Sequence, residues 1–244
     1  MGKKFELTDK FIINVFGIKL FQIKCTKSFK YAQKGDLGGY VEKEGNLDQE
    51  NDAWVSGNAQ VSGDARVSGN AWVSGNAQVS GNARVYGNAW VSGDARVYGN
   101  AWVSGNAQVS GDAWVSGNAR VSGNARVYGN AWVSGDARVY GNAWVSGNAQ
   151  VSGDAWVSGN ARVSGDANIK NNNEHCGFDG FGSCNRHTHA YLTKEKKVEI
   201  TCGCFRGSIE EFEKKVEETH SGTIYEKQYK AIINVIKIKF GLTD

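Results

Sequence analysis

From Ala53 to Asn168 the apolar positions recur with a strict period of six, in the unit A-x-V-x-G-(N/D). Valine falls at every sixth position from Val55 to Val163, nineteen times; alanine precedes it by two residues, twenty times from Ala53 to Ala167, with no insertion or deletion. On an extended chain Ala and Val point to one side and the two x positions to the other. Gly and then Asn or Asp tolerate the positive φ of a sharp corner. Helical faces recur near 3.6 residues, so a strict six argues against helix. Each hexad reads as a short strand and a corner. Such units bury their apolar side only by stacking on one another, as a solenoid. The chain has no proline, which suits coils whose N–H groups all bond to a neighbouring coil.

The flanks lack this period. In residues 1–52, Phe11–Phe16 and Ile18–Cys25 predict two strands joined near Gly17. Gly35–Val41 then leads into the solenoid, with Val41 and Leu47 as its first rungs. A cap is expected there, because an open solenoid end exposes unpaired strand edges. Residues 169–244 predict a small α+β module in the order ββαα. His189–Thr193 and Val198–Cys204 form a hairpin around Lys194-Glu195-Lys196. Ser208 and Glu211 form a capping box opening a helix to about His220, and a second helix starts at Thr223. The expected domains are 1–52, 53–168 and 169–244.

The spacing of Val55 to Ala59, an aliphatic residue followed four positions later by a small one, resembles the hexapeptide repeat of left-handed parallel β-helix proteins. That resemblance implies a mainly β fold, with three-sided coils of about 18 residues, about six coils in all. A two-sided solenoid of two hexads per coil is the alternative; two residues turn a 120° corner more comfortably than a reversal. The flanks resemble repeat proteins of bacteriophages and prophages that have no established activity. The likeness rests on Gly35-Asp36-Leu37-Gly38-Gly39-Tyr40, on Gly182-Ser183 with Asn185, on Cys202-Gly-Cys204-Phe205 with Gly207, and on Glu211-Phe212, Val216, Thr219-His220 and Tyr229. It implies a viral source and, if so, a place in the host cytoplasm. The chain departs from that pattern at Cys184, His187 and His189.

Three-sided coils stack residues 18 apart. All eight tryptophans fall at outward positions. Trp54, Trp72 and Trp90 then form one ladder. A second edge reads Arg66, Arg84, Trp102, Arg120, Arg138, Trp156, and Trp114 and Trp132 meet on the third. Such ladders stabilise a solenoid through ring stacking and Arg-over-Trp contacts. They also make Trp54, Trp72, Trp90, Trp102 and Trp156 an expected association surface, hence a homo-oligomer, or else a platform for sugars or bases.

Charge narrows the partners. The chain carries a formal +3, and each of the three segments comes to about +1, so double-stranded nucleic acid is not expected. The apolar stretch at 11–23 contains Lys19 and is too short to span a bilayer, and no membrane partner is expected. Five cysteines without a leader suit reduced cytoplasmic thiols.

Hexapeptide-repeat proteins include acyltransferases, whose resemblance would require a catalytic histidine, yet residues 53–168 contain no His, Cys, Lys or Glu. The chain is therefore expected to be no enzyme and to need no cofactor, and to act by binding a ligand or host factor; sequestering a nucleotide signal in counter-defence is one form of this. An acyltransferase and a self-assembling scaffold are the alternatives. Ser183, Asn185, Arg186, His187, Thr188, His189 and Arg206 are the candidate site for an anionic small molecule. No metal is expected. The weak alternative is zinc on Cys202, Cys204, His187 and His189, which lack the usual two-residue spacing.

Overall fold

The computed structural model describes residues 2–242. Its centre is a three-sided parallel β-solenoid. Twenty two-residue strands, β4 (Trp54–Val55) through β23 (Asn168–Ile169), each consist of one outward residue and its Val or Ile. Strands three apart in sequence pair in parallel and in register, so Val55 meets Val73 and Val61 meets Val79. The hexads thus close a coil every 18 residues. The interior is a stack of Ala and Val, nearly all at 0% exposure. Each corner glycine has a positive φ. At Gly105 it is 66°, and an added Cβ would lie 3.0 Å from the backbone of Gly123 one coil on, so neither the angle nor the space admits a side chain.

Asparagine closes the corners. From Asn70 to Asn160 the amide of each residue donates to the side-chain oxygen of the next, five bonds of 3.0–3.1 Å in an unbroken column. Where Asp replaces Asn, as at Asp94 and Asp136, it accepts and cannot donate onward.

The solenoid has seven coils where the resemblance implied about six. Strand β3 (Leu37–Val41) pairs in parallel with the rung at Gln60–Val61, and Leu47 bridges to Val67, so residues before the first regular hexad already build a coil. The cap hairpin is β1 (Phe5–Ile13) and β2 (Lys19–Cys25), antiparallel and continuous with β3 in one sheet. Its first strand begins at Phe5 and ends at Ile13, earlier than the expected Phe11–Phe16. Lys4 closes the first coil from below. Its buried amine donates to the carbonyls of Asn51 and Ala53, and burial lowers its pKa to about 8.

The C-terminal module has four strands and two helices, not ββαα. Strands β24 (His175–Phe181), β25 (Arg186–Leu192), β26 (Val198–Cys202) and β27 (Phe205–Gly207) form an antiparallel sheet. Helices α1 (Ile209–His220) and α2 (Ile224–Lys239) cover one face. The other face closes the last coil. Among the described residues no helix is long and apolar enough to cross a membrane.

Candidate functional site

The residues predicted to hold an anion at the C-terminal hairpin do not converge. Ser183 and Asn185 sit in the exposed β24–β25 turn, Asn185 at φ 48°. Along β25 the side chains alternate. Thr188 points to the helices and bonds Cys202, whose sulfur lies 3.8 Å from the Tyr229 hydroxyl. Arg186 lies on that same helix-facing side, against Gly203. His187 and His189 point the opposite way, toward the last coil. Cys202 therefore lies across the sheet from the two histidines and Cys204 is exposed, so the four residues of the zinc alternative are not brought together.

What the solenoid-facing side does is dock the module. The Thr201 hydroxyl donates to the Arg162 carbonyl at 3.0 Å and the Arg162 guanidinium to the Gly203 carbonyl at 3.0 Å. Tyr191, fully buried, donates to Glu199 at 2.6 Å beside Ser164, and burial raises its pKa. Arg206 is held by both oxygens of Glu199, at 2.6 and 3.1 Å, so it is occupied by an ion pair. Deeper in, His175 Nδ1 and His189 Nε2 are 3.0 Å apart, and His187 Nδ1 meets Asp179 at 2.8 Å. Burial lowers the pKa of His175 to about 4 and of His189 to about 3. Burial thus favours the neutral form of His175 and His189 at this seam.

The outward columns divide by a local rule. Trp102, Trp114, Trp144 and Trp156 each have an Arg one coil below and a Tyr sixteen residues back. The guanidinium lies 4.7–5.3 Å from the indole, and the Tyr ring meets it edge-on at 5.9–6.5 Å. Trp72, Trp90 and Trp132 have Trp one coil below and Ser sixteen back. Trp72 and Trp90 stack at 5.2 Å, and the Trp72 indole N–H donates to Ser56 at 2.8 Å. The rings stack along the solenoid axis. Trp72, Trp102, Trp114 and Trp144 have column neighbours on both faces, whereas Trp90, Trp132 and Trp156 are covered on one face and remain exposed.

Trp54 leaves its expected ladder. Its backbone keeps register with Trp72, yet the indole is 2% exposed, tucked against Phe29 and Gly38 of the cap. Tyr31 takes its place, stacked on Trp72 at 5.3 Å. The cap thus covers the foot of this ladder, and Trp54 is no part of an open association surface. Trp90 and Trp156 remain exposed, and Trp72 and Trp102 are half-buried.

The side carrying Arg66, Arg84, Trp102, Arg120, Arg138 and Trp156 is the most basic of the three. It holds four of the seven solenoid arginines, and none of them is ion-paired among the described residues. Arg120 lies 5.0 Å over Trp102 on the face opposite Arg84. At its N-terminal end lies a shallow groove of about 470 Å³, lined by Arg66, Arg84, Tyr86, Trp102, Ser68 and Asp48. The groove exists because Ser68 stands where the next coil has Tyr86, and because Asn46, opposite Arg66, turns inward to bond the Gly63 and Ala65 carbonyls. The first column of this side was legible from the 18-residue register. The groove was not, since it depends on the lead-in segment.

A family model, the YdcK beta solenoid repeat, matches nine stretches, from residues 59–75 to residues 149–165, all but the first overlapping a neighbour. The protein is a β-solenoid repeat protein. The matched stretches lie within the solenoid and leave both end modules uncovered. No curated protein matches the chain.

Proposed function

We propose that this protein is a non-enzymatic solenoid that acts by binding, and that its binding surface is the arginine-rich side. The observation that supports this most is the pair Arg66 and Arg84. They are register partners one coil apart, about 4.8 Å, both exposed and without an ion pair among the described residues, at a groove that also holds the Tyr86 and Ser68 hydroxyls and, at one wall, the Asp48 carboxylate. Two guanidinium groups at that spacing outweigh the single Asp48 carboxylate, and an anion placed between them relieves their repulsion. A carboxylate or phosphate on a small hydroxylated or planar molecule fits the groove, which includes the nucleotide class. The C-terminal set Ser183, Asn185, Arg186, His187, Thr188, His189 and Arg206 is assigned to the turn, the seam and the helix contact instead.

The repeat carries no nucleophile or proton-transfer group other than Asp, Ser and Tyr, and no observation favours the acyltransferase reading. The test is thermal unfolding with inorganic phosphate, a nucleoside monophosphate and a uronate as separate probes. Ligand that binds only the folded state raises the melting temperature. At least one probe is expected to do so for the wild type, and none for Arg66→Ser/Arg84→Ser. Equal shifts in both proteins, or none with any probe, would overturn the assignment.

A further inference from the structure

We infer that the tip of the β1–β2 hairpin is a finger that docks on an anionic lipid surface. Ile13, Val15 and Phe16 are 66%, 87% and 76% exposed, and Phe11 is 46% exposed. Ile13, Val15 and Phe16 crowd one tight turn and stay largely open among the described residues, while Phe11 beside them packs against Phe21 and Lys19. Isolated exposed apolar residues are ordinary, but a cluster at a projecting tip marks a contact site.

Three observations select a bilayer as the occupant. The first is that the turn bonds four of its own N–H groups, those of Asn14, Phe16, Gly17 and Ile18. Asn14 Oδ1 accepts from the N–H groups of Phe16 and Ile18, at 2.9 and 3.0 Å. The Asn14 carbonyl accepts from Gly17, and Asn14 N–H donates to Ile18. Backbone groups already bonded can leave water at little cost, which lipid demands of anything that enters it. The second is charge. Residues 10–35 carry six lysines and no carboxylate, and none of the six is ion-paired among the described residues. Lys10 and Lys19 bracket the apolar tip. The Lys19 amine lies 3.9 Å from the Phe11 ring centre and 4.9 Å from that of Phe21, so a cation is held on the aromatic faces beside the tip, where it can also meet an anionic headgroup. The third is exposure: Ile13, Val15 and Phe16 each keep more than half of their surface open, 66%, 87% and 76%. A second copy placed tip to tip would bring two sets of lysines together.

The length of the 11–23 stretch excludes a spanning segment; surface insertion of a turn is a different contact and needs only its tip. The test is co-sedimentation of the full chain with vesicles of phosphatidylcholine alone and with phosphatidylglycerol added. The wild type is expected to bind the anionic vesicles and to release as salt rises. Val15→Asp/Phe16→Asp is expected to bind at least about tenfold less, since an acidic side chain opposes burial in lipid by more than the 1.4 kcal/mol of one decade. Lys10→Gln/Lys19→Gln should weaken binding and flatten its salt dependence. Far-ultraviolet dichroism checks that the variants remain folded, as substitutions at exposed positions should. The proposal fails if the wild type stays in the supernatant or if the Asp variant binds as well. It fails equally if light scattering shows a wild-type dimer that the Asp variant dissolves, with no vesicle binding; the tip then covers a second copy. Neither variant touches Arg66 or Arg84, so this outcome is independent of the anion groove.

Discussion

At the scale of single residues, the hexad assigns each position one task. Val103 and Ala101 are fully buried, while Ser104 faces out. Val103→Asp places an unpaired carboxylate between coils and should cost several kcal/mol. Ser104→Asp should be nearly neutral. Chemical denaturation of both variants checks this, and equal destabilisation would mean that the facing is wrong. This facing was legible because period two within the hexad leaves only one way to bury Ala and Val together. The pairing of each Trp with Tyr or Ser sixteen residues back was also written in the sequence, since Tyr86, Tyr98, Tyr128 and Tyr140 all follow Arg-Val. It is visible only when positions one coil apart are read as neighbours together with their flanks. The fate of Trp54 was not legible. Phe29 and Tyr31 decide it, from a segment without periodicity.

At the scale of elements, both helices were legible because their first turns carry the capping signals. Ser208 and Glu211 close both halves of a capping box, and Thr223 caps the second helix at Glu226. Strand β24 was hidden because Gly177, Asp179 and Gly180 argue against a strand. The structure explains Gly177: a Cβ there would lie 2.7 Å from the His187 ring. The histidine cluster under this sheet gives the docking seam a pH dependence. The pKa values of His175 and His189 are depressed in the folded state, to about 4 and about 3, mainly by burial. Below the ordinary histidine value of about 6.5, the unfolded chain binds protons that the folded one does not. Their contribution is therefore full above that pH and declines as pH falls toward 4. The slope approaches about 1.4 kcal/mol per pH unit for each group. Melting temperatures between pH 7 and pH 4 should fall, and the decline should be shallower in His189→Phe. An identical slope in the variant would show that the cluster does not govern the seam.

At the scale of the whole molecule, the solenoid is a closed rod. Its Ala–Val interior admits no ligand, most of its indole faces are covered within their own columns, and its ends are sealed by the cap hairpin and the C-terminal sheet. What remains available is the outward chemistry, of which the unpaired arginines of one side are the most specific part. The measurement that tests this most directly is native mass spectrometry of the protein purified under mild conditions, run beside Arg66→Ser/Arg84→Ser. The account predicts a mass excess on the wild type corresponding to one anionic small molecule per groove, absent from the double variant. A wild type of bare chain mass, or a ligand that survives loss of both arginines, would contradict it.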